Sequence, residues 1–138
     1  MRLNWNKVEL WLVGLIAAHT VAVGVMLLAF SSWSVLVFAG WPHADPLFFP
    51  RQAGIFHFVL AFCYLWEYFR YRGIAILVVA KTLAMVFLLG ATLLDHVPWV
   101  VPLSGVMDGL MGLAVVAVRR LSGRSPCRDL DPTPAKAP

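Results

Sequence analysis

The stretch that decides the fold is GIAILVVAKTLAMVFLLGATLL, residues 73–94, in which Lys81 is the single charged side chain. An α-helix rises about 1.5 Å per residue, so a stretch of this length crosses the roughly 30 Å of hydrocarbon in a bilayer. Backbone polar groups inside lipid must pair within the protein, and this continuous apolar run lacks the alternation of a barrel strand. The stretch therefore predicts a transmembrane helix.

Three further apolar stretches, residues 8–30, 51–69 and 102–118, have a similar length and composition. The whole chain is 61% hydrophobic and 13% charged, with a mean hydropathy of +0.81, which leaves too little polar surface for a water-soluble domain. We predict an all-α fold, a four-helix transmembrane bundle within residues 1–121. Residues 122–138 are rich in proline, serine and charge, and this composition predicts a disordered cytoplasmic tail.

The connections between these stretches differ in length and composition. Residues 33–41 are apolar but too short to cross a bilayer, so we expect them to lie in the membrane interface or to dip partway into it. Residues 95–99 form a short connection that contains a proline. Such a connection predicts that the third and fourth helices form an antiparallel hairpin.

The distribution of lysine and arginine indicates the orientation. In a four-span arrangement the basic residues outside the spans fall on one side, and only Arg51 falls on the other. The positive-inside rule then predicts that both termini are cytoplasmic, and small size together with this charge pattern favours the bacterial inner membrane. Because these residues flank apolar stretches, the net charge of +4 indicates topology and no nucleic-acid partner. They are Arg2, Lys7, Arg70, Arg72, Arg119, Arg120, Arg124, Arg128 and Lys136.

Four polar side chains lie deep within the predicted helices, namely His19, His57, Lys81 and Asp108. Counting about 1.5 Å per residue from the basic helix ends places all four near the bilayer midplane. An uncompensated charge there costs between about 2.5 and 17 kcal/mol, so we expect them to turn inward as one buried polar layer. Lys81 and Asp108 are expected to pair across the hairpin. Three interpretations stay open: the pair sets helix register, it handles protons or substrate, or the layer contacts a partner subunit.

Small residues indicate where the helices pack closely. The fourth stretch carries a stripe of them at three- and four-residue spacing beside Asp108, and such stripes let helices approach one another. This stripe consists of Ser104, Gly105, Gly109 and Gly112. A similar ridge beside His19 in the first stretch consists of Gly14, Ala18 and Ala22. One face of the second stretch carries His57, Ala61, Tyr64 and Tyr68.

Histidines at matching depth on two helices, His19 and His57, raise the hypothesis of a haem with two axial histidines. The loops contain further donors of metal-binding type, but no recognised spacing unites them, and we interpret them as solvated. These are His43, Asp45, Asp95 and His96. The chain has no nucleophile elbow, phosphate loop or zinc-protease motif. We therefore predict no cofactor, no metal and no catalytic residue.

The outline of four spans resembles small four-helix bacterial membrane proteins of the broad DoxX-like kind, whose cellular roles are mostly unassigned. The resemblance is architectural and covers the spans, so it assigns no site residue. The leading hypothesis is a non-enzymatic accessory or structural subunit, in contact with the lipid bilayer and with a membrane-protein partner or further copies of itself. The alternatives are a small proton-linked carrier or conduit and, third, a haem-binding electron carrier.

Overall fold

The computed structural model describes residues 5–123, and no strand occurs in that range. Four of its helices, α1, α3, α4 and α5, are long and apolar enough to cross a membrane, and they correspond to the four predicted stretches. The all-α prediction is therefore confirmed. In chain order the elements are α1 Trp5–Ala29, α2 Ser31–Trp33, a π-helical segment Ser34–Phe38, α3 Phe48–Tyr71, α4 Ala75–Leu94 and α5 Val100–Leu121.

Several helix ends extend beyond the apolar stretches, because hydropathy falls at charged and proline residues while the backbone remains helical. Pro50 lies in the first turn of α3, where its missing N–H has no intrahelical partner to lose. Arg119 and Arg120 lie in the last turn of α5, where cations interact favourably with the helix dipole. The predicted disordered tail lies outside the described residues from position 124 onward.

The apolar segment between the first two long helices is itself helical. The backbone leaves the helical conformation at Phe30 (φ −119°, ψ 38°) and resumes as α2 and the π-helical segment. Two serine hydroxyls donate back to α1: Ser31 Oγ to Leu27 O at 2.6 Å and Ser34 Oγ to Met26 O at 2.8 Å. These bonds tie the segment to the end of α1. Its placement at a membrane interface stays a prediction.

The long helices pack most extensively in two pairs, α1 with α3 and α4 with α5. Gly24 and Gly54 lie where α1 crosses α3, and a Cβ added at Gly54 would come within 2.9 Å of the Gly24 carbonyl oxygen. The backbones touch there because neither residue has a side chain. In the second pair Gly105 leaves room for a side chain of α4, since a Cβ there would meet Leu88 Cβ at 3.1 Å.

The two pairs join mainly at one end of the bundle, the end that carries Arg70, Arg72, Arg119 and Arg120, called here the arginine-rich end. The apolar core draws side chains from all four long helices, and each of them lies in, or directly beside, the half of its helix nearer this end. In the other half, the buried residues are glycines and hydroxyl residues: Thr20, Gly24, Ser31, Ser34, Gly54, Gly105 and Gly109. The core consists of Val13, Ile16, Tyr64, Tyr68, Ile74, Leu77 and Val115.

The buried face of α1 differs from the predicted ridge. A Cβ at Gly14 would meet nothing within 4 Å, and Ala18 and Ala22 are exposed. The buried stripe lies about one position away and consists of Glu9, Val13, Ile16, Ala17, Thr20 and Gly24. The contact between Gly24 and Gly54 determines which face of α1 packs on α3. The small side chains of the predicted ridge have less influence on this orientation than a contact between the two backbones.

Candidate functional site

The centre of the candidate site is an ion pair between α4 and α5. Lys81 Nζ donates to Asp108 Oδ1 at 2.5 Å, and the two side chains are 8% and 17% exposed. Gly112, one turn from Asp108, is buried against α4, and a Cβ there would lie 3.5 Å from Lys81 Cβ. The small residues thus bring the helices close enough for a lysine on one to reach a carboxylate on the other.

The small-residue stripe of α5 faces α4 along the same contact. Gly105, Gly109 and Gly112 are buried, and Ser104 is half-buried. Gly109 lies directly against the Met85 side chain, and Gly105 lies against Leu88 and Leu89. The stripe and the ion pair therefore belong to one interface.

His19 does not meet the expectation of burial. It is exposed on α1 and lies three residues after Ile16, the last residue of this helix in the shared apolar core. It nevertheless lies within electrostatic range of Lys81, Asp108 and His57. The physical reason for its exposure is that α1 packs tightly on α3 and meets α5 mainly at the arginine-rich end. Beyond that end, the face of α1 that carries His19 is left open.

His57 is half-buried and bonds within its own helix. Its Nδ1 lies 2.7 Å from the carbonyl oxygen of Ala53. Because a carbonyl only accepts, Nδ1 carries the proton of this bond, and Nε2 is the ring nitrogen left for other contacts. On the same face Tyr64 is buried and lies within electrostatic range of Asp108. The haem hypothesis for His19 and His57 stays a prediction.

A second ion pair lies at the arginine-rich end, and the sequence did not reveal it. Arg119 Nη1 donates to Glu9 Oε1 at 2.8 Å, and the side chains are 1% and 0% exposed. Ser122 Oγ lies 3.4 Å from Glu9 Oε2 and donates to the Arg119 carbonyl oxygen at 2.7 Å. This pair joins the first long helix to the last, and so fastens one helix pair to the other.

The helical spacing of the buried residues could have indicated that Glu9 and Arg119 are buried. Glu9 begins the buried stripe of α1, four residues before Val13. Continuing the α5 stripe from Gly112 by the same three- and four-residue steps leads to Val115 and Arg119. The sequence indicates Arg119 only as a topology signal, because a basic residue at the end of an apolar stretch is ordinary there.

A third carboxylate, that of Glu67, makes hydrogen bonds that stabilise the start of α4. Its Oε1 and Oε2 accept the backbone N–H groups of Ala75 and Ile76, each at 2.8 Å. The residue that precedes α4 provides no side-chain cap, so Glu67 on α3 satisfies donors that have no partner within the helix. Gly73 leaves room for it, because a Cβ there would come 2.7 Å from Glu67 Oε1.

The predicted loop donors do not assemble. Within residues 5–123 no group of three or more histidine, cysteine, aspartate or glutamate side chains is placed to hold a metal ion. The loop donors are all exposed and lie at separate positions, namely His43, Asp45, Asp95 and His96. On the part of the chain that the structure describes, two open surface grooves contain no residue of the predicted polar layer. One is lined by Phe62, Cys63, Trp66 and Ile76, the other by Leu28, Phe48, Arg51, Gln52 and Ile55.

Residues 5–123 form an all-helical fold with four helices long and apolar enough to cross a membrane, and two ion pairs within that range join these helices. Comparison with known proteins gives no match to this chain among protein-family models, curated proteins or solved structures. The DoxX-like resemblance stays an expectation from the outline of the spans. Function is therefore inferred from the geometry of this chain.

Proposed function

We propose that this protein is a multi-pass integral membrane protein with a non-enzymatic accessory or structural role, set in the bacterial inner membrane with both termini cytoplasmic. The observation that carries the proposal is the closed Lys81–Asp108 pair, in which each charge has the other as its partner. The Glu9–Arg119 pair supports it, because it commits a further buried carboxylate and guanidinium to joining helices. The internal charges act as connections between helices in this proposal.

A double-mutant cycle tests this role for Lys81 and Asp108. Lys81→Met or Asp108→Asn alone leaves a buried charge without its partner, a loss of about 3 to 5 kcal/mol in buried pairs, whereas the double variant should be much closer to wild type. The free energy of unfolding in lipid nanodiscs provides the measurement. Losses that add would contradict the pairing role. The same wild-type protein in proteoliposomes containing a pH-sensitive dye should show no proton flux above that of empty liposomes.

A second candidate function is a small proton-linked carrier, and the exposure of His19 favours it. An exposed imidazole within electrostatic range of Lys81 and Asp108 connects the polar layer to the surface of the helix pairs. Histidine is the side chain whose proton exchange suits neutral pH. Proton flux in the proteoliposome experiment that disappears in Asp108→Asn would replace the structural proposal with this one.

Accessibility separates the two candidates independently of flux. His19→Cys is prepared in a Cys63→Ser, Cys127→Ser background and treated with a small membrane-impermeant thiol reagent. The structural proposal expects protection equal to that of Val21→Cys, an exposed position on the same helix. Rapid modification of His19→Cys alone would indicate a water-filled route and would support the carrier.

The proposed orientation has its own test. Ala44→Cys, in the loop between the π-helical segment and α3, should react with an impermeant reagent added outside intact cells. A reporter fused to either terminus should be active only in the cytoplasm. Labelling of Ala44→Cys only after permeabilisation would show the opposite orientation.

A further inference from the structure

A groove between α1 and α3, at the end of the bundle opposite the arginine-rich end, is lined by both apolar and polar side chains. Leu28, Phe48 and Ile55 provide an apolar wall, and Arg51 and Gln52 provide the polar groups. Its volume of about 480 Å³ falls within the range of roughly 300 to 1,000 Å³ typical of ligand pockets. The groove is therefore large enough for part of an amphiphilic molecule.

The glycine crossing holds the apolar wall in place. Leu28 packs directly on the backbone of α3, since a Cβ at Gly54 would lie 3.0 Å from Leu28 N and 3.2 Å from Leu28 Cβ. Ile55 follows Gly54 in sequence, is 50% exposed and so remains available to a ligand. The groove therefore begins directly beside the close contact between α1 and α3.

The charge at the groove indicates which kind of molecule would bind there. Arg51 is exposed and makes no salt bridge within residues 5–123, in contrast to Arg119 and Lys81, whose charges are paired inside the bundle. The first turn of α3 contains no acidic residue that would compete for it. An unpaired guanidinium recognises phosphate well, and the Gln52 amide offers further donors.

The order of these groups along α3 matches the order of groups in a phospholipid. Arg51 lies in the first turn, and Ile55 lies four residues further into the helix, about 6 Å deeper at 1.5 Å per residue. A charged head near Arg51 and an acyl chain along Leu28 and Ile55 would both have complementary partners. We propose that this groove binds an anionic phospholipid, with its phosphate on Arg51, an inference that depends on the proposed membrane insertion of the helices.

Photo-crosslinking tests the proposal on the full chain in nanodiscs of phosphatidylcholine. The probes are phosphatidylglycerol and phosphatidylcholine, each with a diazirine in its acyl chain, and the cross-link yield is measured by mass spectrometry on the peptide containing Ile55. We expect the phosphatidylglycerol probe to give about fivefold more product, in line with about 1 kcal/mol for one basic residue near anionic lipid. Arg51→Gln should remove this preference, and the exposed Arg70→Gln, at the other end, should preserve it.

Further arms distinguish a phospholipid seated in the groove from a free anion and from labelling by bulk lipid. Ile55→Trp should fill the groove and lower the yield with both probes, while Arg51 keeps its charge. Excess glycerol 3-phosphate should not compete, and competition would show that the site takes a free anion instead. Equal yields from the two probes in wild type, or equal losses in Arg51→Gln and Arg70→Gln, would overturn the proposal. Failure of the wild type to co-float with lipid vesicles would instead count against membrane insertion itself.

Discussion

At the arginine-rich end, large side chains from all four long helices share one apolar core, whereas at the opposite end the helices touch in pairs through glycines. The first arrangement depends on side-chain volume and on the Glu9–Arg119 pair. The second depends on backbone contact at Gly24 and Gly54. The comparison shows that buried side chains hold the two helix pairs together in the arginine-rich half. In the other half, part of the surface between the helix pairs is left open to the surroundings of the protein.

The comparison also explains where the polar layer lies. Lys81 and Asp108 lie beside the shared core and are largely covered, while His19 lies just beyond it and is exposed. The layer marks the level at which the four-helix core ends.

The largest effect is expected from breaking the Glu9–Arg119 ion pair at the arginine-rich end. Glu9→Gln removes the carboxylate charge that lies 2.8 Å from the buried Arg119 guanidinium, and we expect a loss of about 3 to 5 kcal/mol in the free energy of unfolding. Replacing both partners, as Glu9→Leu with Arg119→Met, should recover most of that loss. Denaturant titration in a constant lipid composition provides the measurement.

Arg120→Met serves as the matched control for this pair. Arg120 is the exposed neighbour of Arg119, so its substitution should change the unfolding free energy by no more than about 0.5 kcal/mol. Equal losses in Arg120→Met and Glu9→Gln would show that net charge at this end matters and the buried pair does not.

A smaller effect is expected at the opposite end, from Gly54→Ala. The added methyl group would press on the Gly24 carbonyl oxygen and the Leu28 backbone, and overpacking of this kind costs about 1 to 3 kcal/mol. Gly14→Ala is the control, because its methyl group meets open space and alanine favours a helix by up to about 1 kcal/mol. Thermal unfolding should separate the two variants, and similar midpoints would mean that the crossing is looser than the structure shows.

The smallest effect concerns the turn that connects the two helix pairs. Glu67→Ala removes the cap on α4 and should cost about 0.5 to 2 kcal/mol, the usual range for a lost helix cap. Asp95→Ala, an exposed carboxylate at the other end of α4, should stay within about 0.5 kcal/mol of wild type. Hydrogen exchange at Ala75 and Ile76 should accelerate in Glu67→Ala alone, and unchanged exchange there would argue against the cap.

The site divides into residues that the sequence could predict and residues that it could not. Lys81 and Asp108 stand out because each is a charge inside an otherwise apolar stretch, and such a charge in lipid must find a partner. Glu9 and Arg119 lie near helix ends, where charged residues are ordinary. Their burial follows from a contact between residues 110 positions apart, which no local pattern records.

The sequence by itself determined the number of long helices, their apolar class and their approximate ends, because each follows from the length and composition of a local stretch of the chain. Only the tertiary structure decided which face of each helix is buried. Helices that are apolar on all sides carry little periodic signal, so the rotation of α1 depended on the backbone contact at Gly24. That rotation buries Glu9 and exposes His19, and the physical reason is that close packing between helices outweighs the weak preference of any one side chain.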